Sequence, residues 1–230
     1  EKMVNDLLAA GRPRLNISLD SLNPARFHQI TGSDCWHRVW RGVSKAEALG
    51  FFPLKINMVP VRGVNDDEIA DFARLTIHRR LHVRFIEFMP IGNHDRWRRD
   101  VCVSADQIRA VIEREVGPLV PFTSGISAGP SDNYQVPGAQ GVIGFISPIS
   151  RHFCKSCRRL RLTADGKIRP CLISDTEIDV KSPLRAGCDD KELERLLRLA
   201  LEVKPEKHNI GAARTMETTC PRRTMSKIGG

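Results

Sequence analysis

Cys154, Cys157 and Cys171 form a C-x-x-C-x13-C array, and thiolates at this spacing can grip one metal centre. The residues between the second and third cysteine read as a basic β-hairpin that turns at Asp165-Gly166 and brings Cys171 back toward the other two. Three ligands where four are usual leave one metal position open to a substrate, which suggests chemistry more than a purely structural staple. In the outgoing strand, alternation puts Arg159, Arg161 and Thr163 on one face and Leu160 and Leu162 on the other. Two adjacent guanidiniums offer forked donors that suit a polyphosphate. The hairpin register decides whether they share a face with the metal. A two-residue turn pairs Cys171 with Leu160, whereas a three-residue loop with Gly166 in a left-handed bulge pairs it with Arg159; Thr-Ala-Asp-Gly-Lys suits the second.

Without further context the array favours a zinc site, with His152 able to complete a Cys3His tetrahedron. On that reading the protein is a zinc-stabilised basic binding module that contacts RNA. Against it stands the scarcity of stacking groups, since Phe153 is the only aromatic near the array and the chain has one tyrosine. Cys35, Cys102, Cys188 and Cys220 read as unligated thiols.

The 230 residues suffice for one large domain or two small ones, and a hydrophobic content of 41% supplies a packed core. No apolar run approaches the ~20 residues a membrane helix needs, and no segment has the zones of a secretory signal. A formal net charge of +9 predicts an anionic partner. Seven cysteines, an odd number with two in C-x-x-C, fit a reducing compartment better than a disulfide framework. The chain opens at Glu1 in what reads as the tail of a helix already under way, which predicts a fragment of a longer protein.

The elements that must position these residues follow from periodicity. A helical stripe covers Glu1 to Ala10, and Arg14 to Asp20 alternates as a strand. A short helix around Pro24 to Ile30 and a longer one from Asp34 to Leu49 precede a second strand, Leu54 to Val59. Asn65 with Glu68 resembles a capping box that launches an amphipathic helix through Ile77, and His82 to Met89 makes the third strand. Strands separated by helices are the signature of parallel βα units. In such sheets reactive groups sit at the carboxyl ends of strands, here Ser18 to Asp20, Asn57 to Val59 and Glu87 to Met89. Lys55, inside an otherwise apolar strand, is costly unless paired or facing a ligand cavity. From about Val101 the pattern changes. Ser104 caps a helix to about Glu115, strand-like runs follow near Leu119 to Phe122, Asn133 to Val136 and Val142 to Ile146, and a last helix runs from Asp189 to about Val203.

The blocks NISLDSL, PLKINMVPVRGVNDDE, VRFIEFMPIG, ISPISRHFCKSCRRLRLTADGKIRPCL, PLRAG and MSKIGG, in this order, carry a resemblance to a known family. From Asn16 onward the chain resembles the C-terminal two-thirds of the molybdenum-cofactor biosynthesis protein A family, the GTP 3',8-cyclases of the radical S-adenosylmethionine superfamily. The resemblance implies an α/β fold: a partial, incomplete TIM-like barrel over residues 1–100 and a C-terminal α+β iron-sulfur domain over residues 101–230. It implies radical conversion of GTP to (8S)-3',8-cyclo-7,8-dihydroguanosine 5'-triphosphate in molybdenum cofactor biosynthesis. Cys154, Cys157 and Cys171 would hold a 4Fe-4S cluster whose open iron binds the guanine. Lys55, Arg84, Arg159 and Arg161 would contact GTP, Ser18 and the backbone at Met89 would contact S-adenosylmethionine, and Gly229-Gly230 would reach into the active site. The family's radical-generating C-x-x-x-C-x-x-C, which holds an N-terminal 4Fe-4S cluster, is absent from this sequence. No catalytic residue is therefore assigned here, the fragment alone is expected to be inactive, and its first strand is expected to present an unpaired edge. Further expectations are the absence of membrane and nucleic-acid partners, a homodimer, a downstream cyclic pyranopterin monophosphate synthase, and a cytoplasmic location, or the mitochondrial matrix if eukaryotic.

Overall fold

Alternating apolar and polar residues build the main sheet of this computed structural model, which describes residues 2–11, 14–91, 98–123, 129–207, 223 and 228. Gly229-Gly230 lies outside the described residues. After α1 (Lys2–Ala9), six strands follow: β1 (Leu15–Ser18), β2 (Leu54–Met58), β3 (Leu81–Ile86), β4 (Val120–Pro121), β5 (Asp132–Gln135) and β6 (Val142–Ile146). They hydrogen-bond in the order β1-β2-β3-β6-β5-β4, with β1, β2, β3 and β6 mutually parallel and the β5-β4 pair added antiparallel. β1 stands at one end of this order, as expected of a strand with an unpaired edge. Parallel neighbours need long crossovers. These are α2 (Pro24–Thr31) and α3 (Trp36–Ala48) between β1 and β2, α4 (Ile69–His78) between β2 and β3, and a longer connection containing α5 (Ala105–Glu115) between β3 and β6.

One face of the sheet makes the core. Leu54, Ile56, Met58, Leu81, Val83, Phe85, Ile143 and Phe145 pack with Phe27, Val43, Ala46, Phe72, Ile108 and Ile112 from the helices. Each such buried side chain contributes about 1.5–3 kcal/mol. The opposite face is polar, although parallel strands are ordinarily apolar on both sides. Helix starts follow local chemistry. Asn23 caps α2 by accepting from the Ala25 and Arg26 amides, and Ser104 with Gln107 forms a capping box on α5.

Two expected starts differ. Asn65 makes no side-chain cap; its Oδ1 accepts from Val61 N at 2.7 Å and its Nδ2 donates to the carbonyls of Asp20 (2.7 Å) and Val59 (3.1 Å). Glu68 turns away to Ser21, Leu22 and Arg26, because both side chains are buried and a distant polar partner outweighs a local cap. Asp34 does not open α3, whose first turn follows Cys35 without a side-chain cap; Asp34 pairs with His28 instead.

The chain divides into two compact units, residues 1–88 with 99–150 and residues 89–98 with 151–230. In the second unit β7 (Arg161–Leu162), β8 (Lys167–Arg169) and β9 (Ile178–Asp179) form an antiparallel sheet. α6 (Lys181–Arg185) follows, then α7 (Asp190–Glu202), capped by Asp189 accepting from Glu192 N at 2.9 Å. Leu196 and Ala200 of α7 pack on Ile168, Ile178 and Val180. Among the described residues no helix is long and apolar enough to cross a membrane.

Candidate functional site

Strand register sorts the polar face of the main sheet into two rows. Asn16, Lys55, His82 and Val142 stand side by side in one, and Ser18, Asn57, Arg84, Gly144 and Asn133 in the next. Paired residues on neighbouring strands point to the same side. Three sequence-predicted contacts, Ser18, Lys55 and Arg84, therefore share one surface. Arg84, 9% exposed, donates Nε to Asn57 Oδ1 at 2.8 Å and Nη2 to Asn16 Oδ1 at 2.6 Å, so its guanidinium ties together three strands.

The charges on this face act on one another. Burial lowers the Lys55 pKa, and Arg84 and Arg14 lower it further. His82 is pushed down to about 4, first by burial and then by Arg84 and Lys55, against a hydrogen bond with Asn133. It is consequently neutral near pH 7, with its Nε2 buried and unpartnered. Beside it only glycine fits: a Cβ on Gly144 would stand 2.8 Å from His82 Nε2 and 3.1 Å from Arg84 Cγ, and would collide with Ser131 Oγ.

Buried carboxylates brace the strand ends that border this face. Asp20 Oδ1 accepts from Val59 N at 2.8 Å, and burial raises its pKa. Glu87, 3% exposed, accepts from Ala105 N at 3.0 Å, Ile149 N at 2.8 Å and Ser150 N at 2.9 Å, and also from Ser150 Oγ. One carboxylate thus fastens the end of β3 to the start of α5 and to the loop after β6. Two residues later Met89 is half-buried, and its carbonyl accepts from Ile91 N at 2.9 Å.

In the second unit Arg161 pairs with Arg169 and Leu162 with Ile168, while Thr163 N donates to Lys167 O at 2.9 Å and Gly166 has φ 82°. This is the register of the three-residue loop, and continued along both strands it sets Arg159 opposite Cys171. Arg159 is exposed and Arg161 half-buried. Arg161 feels Arg159, Cys157, Cys171 and Arg169, and burial is the largest cause lowering its pKa.

Two supports here escaped the sequence reading. Arg169 is 0% exposed; it reaches Glu177 Oε1 at 3.2 Å, Asp175 Oδ1 at 3.0 Å and the Ser174 carbonyl, and so holds the loop that follows Cys171. The alternation Lys167, Arg169, Cys171 was the available signal. Lys204 Nζ donates to the carbonyls of Cys157 (2.9 Å) and Arg159 (2.7 Å) and lies 3.6 Å from Cys157 Sγ. Nothing local in the sequence announces that contact.

Cys154 and Cys157 flank a short turn closed by Cys157 N donating to Cys154 O at 3.1 Å, and Cys154, Cys157 and Cys171 are all half-buried free thiols. Among the described residues no three His, Cys, Asp or Glu side chains gather closely enough to hold a metal ion as they stand. A four-iron cluster is bulkier than an ion and its thiolate ligands stand farther apart. The donor set fits such a cluster in kind: three reduced thiols, two of them acting on the Arg161 guanidinium.

Comparisons with known proteins cover the chain from end to end. Residues 1–76 match the Radical SAM superfamily and residues 81–210 match Molybdenum Cofactor Synthesis C. The GTP 3',8-cyclase of Gloeobacter violaceus is 46% identical over 231 residues, covering 100% of this chain and 70% of the relative. That of Desulforamulus reducens is 44% identical over 229 residues, covering 100% and 69%, and that of Moorella thermoacetica 46% over 224 residues, covering 97% and 67%. The chain belongs to the GTP 3',8-cyclase family of the radical SAM superfamily.

Proposed function

We infer that the chain serves as a GTP 3',8-cyclase of molybdenum cofactor biosynthesis, acting on GTP in a radical reaction that depends on S-adenosylmethionine. The observation that carries this reading is the polar face of a parallel sheet, where Ser18, Lys55 and Arg84 stand in adjacent rows over an otherwise apolar core. A face of this kind suits the wall of a partial barrel turned toward a ligand, because solvated polar groups on parallel strands are otherwise hard to place. The radical SAM portion is taken as residues 1–100 and the cluster-bearing portion as residues 101–230, a functional division distinct from the cut between compact units.

S-adenosylmethionine with a four-iron cluster supplies, when bound, the one-electron chemistry that removes a hydrogen from the ribose. The chain's own residues bind and orient. Lys55 and Arg84 offer positive charge to the triphosphate, and Arg159 and Arg161 add two guanidinium forks. Ser18 and the backbone at Met89 contact S-adenosylmethionine. Cys154, Cys157 and Cys171 would hold a 4Fe-4S cluster, which when bound would offer an open iron to the guanine. Reduced thiols of this kind suit the cytoplasm. A homodimer and hand-over to a cyclic pyranopterin monophosphate synthase complete the reading.

The test is anaerobic analysis of the purified protein together with GTP titration of Arg159→Ala and Arg161→Ala. Iron with acid-labile sulfide is expected, and each substitution should weaken GTP binding about tenfold or more, as loss of a charge-assisted contact does. Zinc without sulfide, or unchanged affinity in folded variants, overturns the proposal.

A further inference from the structure

One side chain holds the C-x-x-C segment from outside. The Lys204 ammonium has three donors, and it meets three acceptors: the Cys157 carbonyl at 2.9 Å, the Arg159 carbonyl at 2.7 Å and Cys157 Sγ at 3.6 Å. A lysine just past a helix end ordinarily serves that helix's own last carbonyls. This one reaches a segment 47 residues earlier in the chain. Packing fixes its place. Leu196 and Ala200 seat α7 on Ile168, Ile178 and Val180, and Lys204 follows at the same spacing of four, its amide turned back on the Leu201 carbonyl at 3.3 Å. Two carbonyls that converge on one ammonium curl the chain between the second cysteine and Arg159, the first of the paired arginines. The entry to this turn is closed by Cys157 N donating to Cys154 O at 3.1 Å. Cys157 is thus fixed through both its amide and its carbonyl, with an N–H directed at its sulfur.

We propose that Lys204 is a positioning residue for the iron-sulfur centre: it sets Cys157 and Arg159 in place relative to each other and keeps a charged N–H donor on a ligating sulfur. The assignment rests on the reading of Cys154, Cys157 and Cys171 as cluster ligands and deepens it, since Lys204 is not itself a ligand. Hydrogen bonds to sulfur and nearby charge are among the levers that set the potential of such a centre. Reduction adds negative charge, so a cation beside the sulfur favours the reduced form and raises the potential. Partners standing behind a ligand commonly change metal retention by about tenfold or more.

The decisive variant is Lys204→Met, which keeps an apolar stem and removes the charge and all three donors. Lys204→Gln restores a donor without charge, and Lys204→Arg restores both. The full 230-residue chain is reconstituted anaerobically with iron and sulfide, and the signal comes from one centre because the radical-generating C-x-x-x-C-x-x-C is absent from this sequence. Redox titration followed by electron paramagnetic resonance gives the potential, absorbance gives iron release to a chelator, and hydrogen exchange of the metal-free chain reports the Cys157 amide. Lys204→Met should lower the potential, release iron about tenfold faster or more, and speed exchange at Cys157. Lys204→Gln should fall between it and the parent, and Lys204→Arg should lie near the parent. A tie that merely holds the fold predicts faster exchange with a parental potential. Parental potential or parental iron release in folded Lys204→Met therefore overturns the assignment and leaves the cluster reading intact. If the parent takes up no iron with acid-labile sulfide, the cluster reading falls and the assignment with it. Should Lys204→Met fail to fold, Lys204→Gln decides, since loss of the charge alone must still lower the potential.

Discussion

Replacing Glu87 by Gln changes one atom of a buried carboxylate that accepts four hydrogen bonds, three of them from backbone amides. An amide side chain has a single acceptor oxygen. Whichever way it turns, its NH2 faces either the Ala105 amide or the pair at Ile149 and Ser150, donor against donor. A hydrogen bond to a charged group is worth about 1.5–3 kcal/mol, and a buried donor left unmade costs about 1–3 kcal/mol. Glu87→Gln should accordingly lose about 2–3 kcal/mol. Glu87→Ala strands all three amides and should lose about 4 kcal/mol, with water entering the vacated space to limit the damage. Urea denaturation gives the totals, and amide hydrogen exchange locates them: protection should drop at Ala105, Ile149 and Ser150 before it drops in the strands of the core. Stability of the Gln variant within about 0.5 kcal/mol of the parent, or unchanged exchange at those three amides, would refute the reasoning.

Acid should act through His82. Its folded pKa, about 4, lies below the ordinary 6.5, so within that window the unfolded chain takes up a proton that the folded chain refuses. Stability is therefore expected to fall as pH drops from about 6.5 to about 4, by roughly 3 kcal/mol at the low end, and to be insensitive to His82 above pH 7. Denaturation of the parent and of His82→Gln across this range measures the difference; parallel profiles would count against the depressed pKa. Gly144→Ala drives a methyl into Ser131, His82 and Arg84, and should cost about 1–3 kcal/mol by overpacking, read as a lower urea midpoint.

The parallel βα pattern, the capping box at Ser104 and the three-residue turn at Gly166 were legible because each depends on neighbours within a few residues. The apparent box at Asn65 and Glu68 misled for the complementary reason. Once both side chains were buried, Ser21, Arg26 and the ends of β1 and β2 outbid the local partner. Lys55 stood out as a charge in an apolar strand. The same alternation held Asn16, Asn57 and His82 in plain view, but an isolated asparagine on a strand carries no signal until its cross-strand partner is known.

Sequence alone determined which residue types could do the chemistry, namely three thiols and the arginines beside them, and which side of each strand would be polar, because both follow from covalent spacing and the twofold period of a strand. Only tertiary structure decided which polar residues share a row, that Arg84 reaches Asn57 and Asn16 on the two neighbouring strands, and that Glu87 gathers three amides from two distant segments. Those choices depend on strand order and register, and they are set by how the whole apolar face is buried rather than by any short stretch of chain.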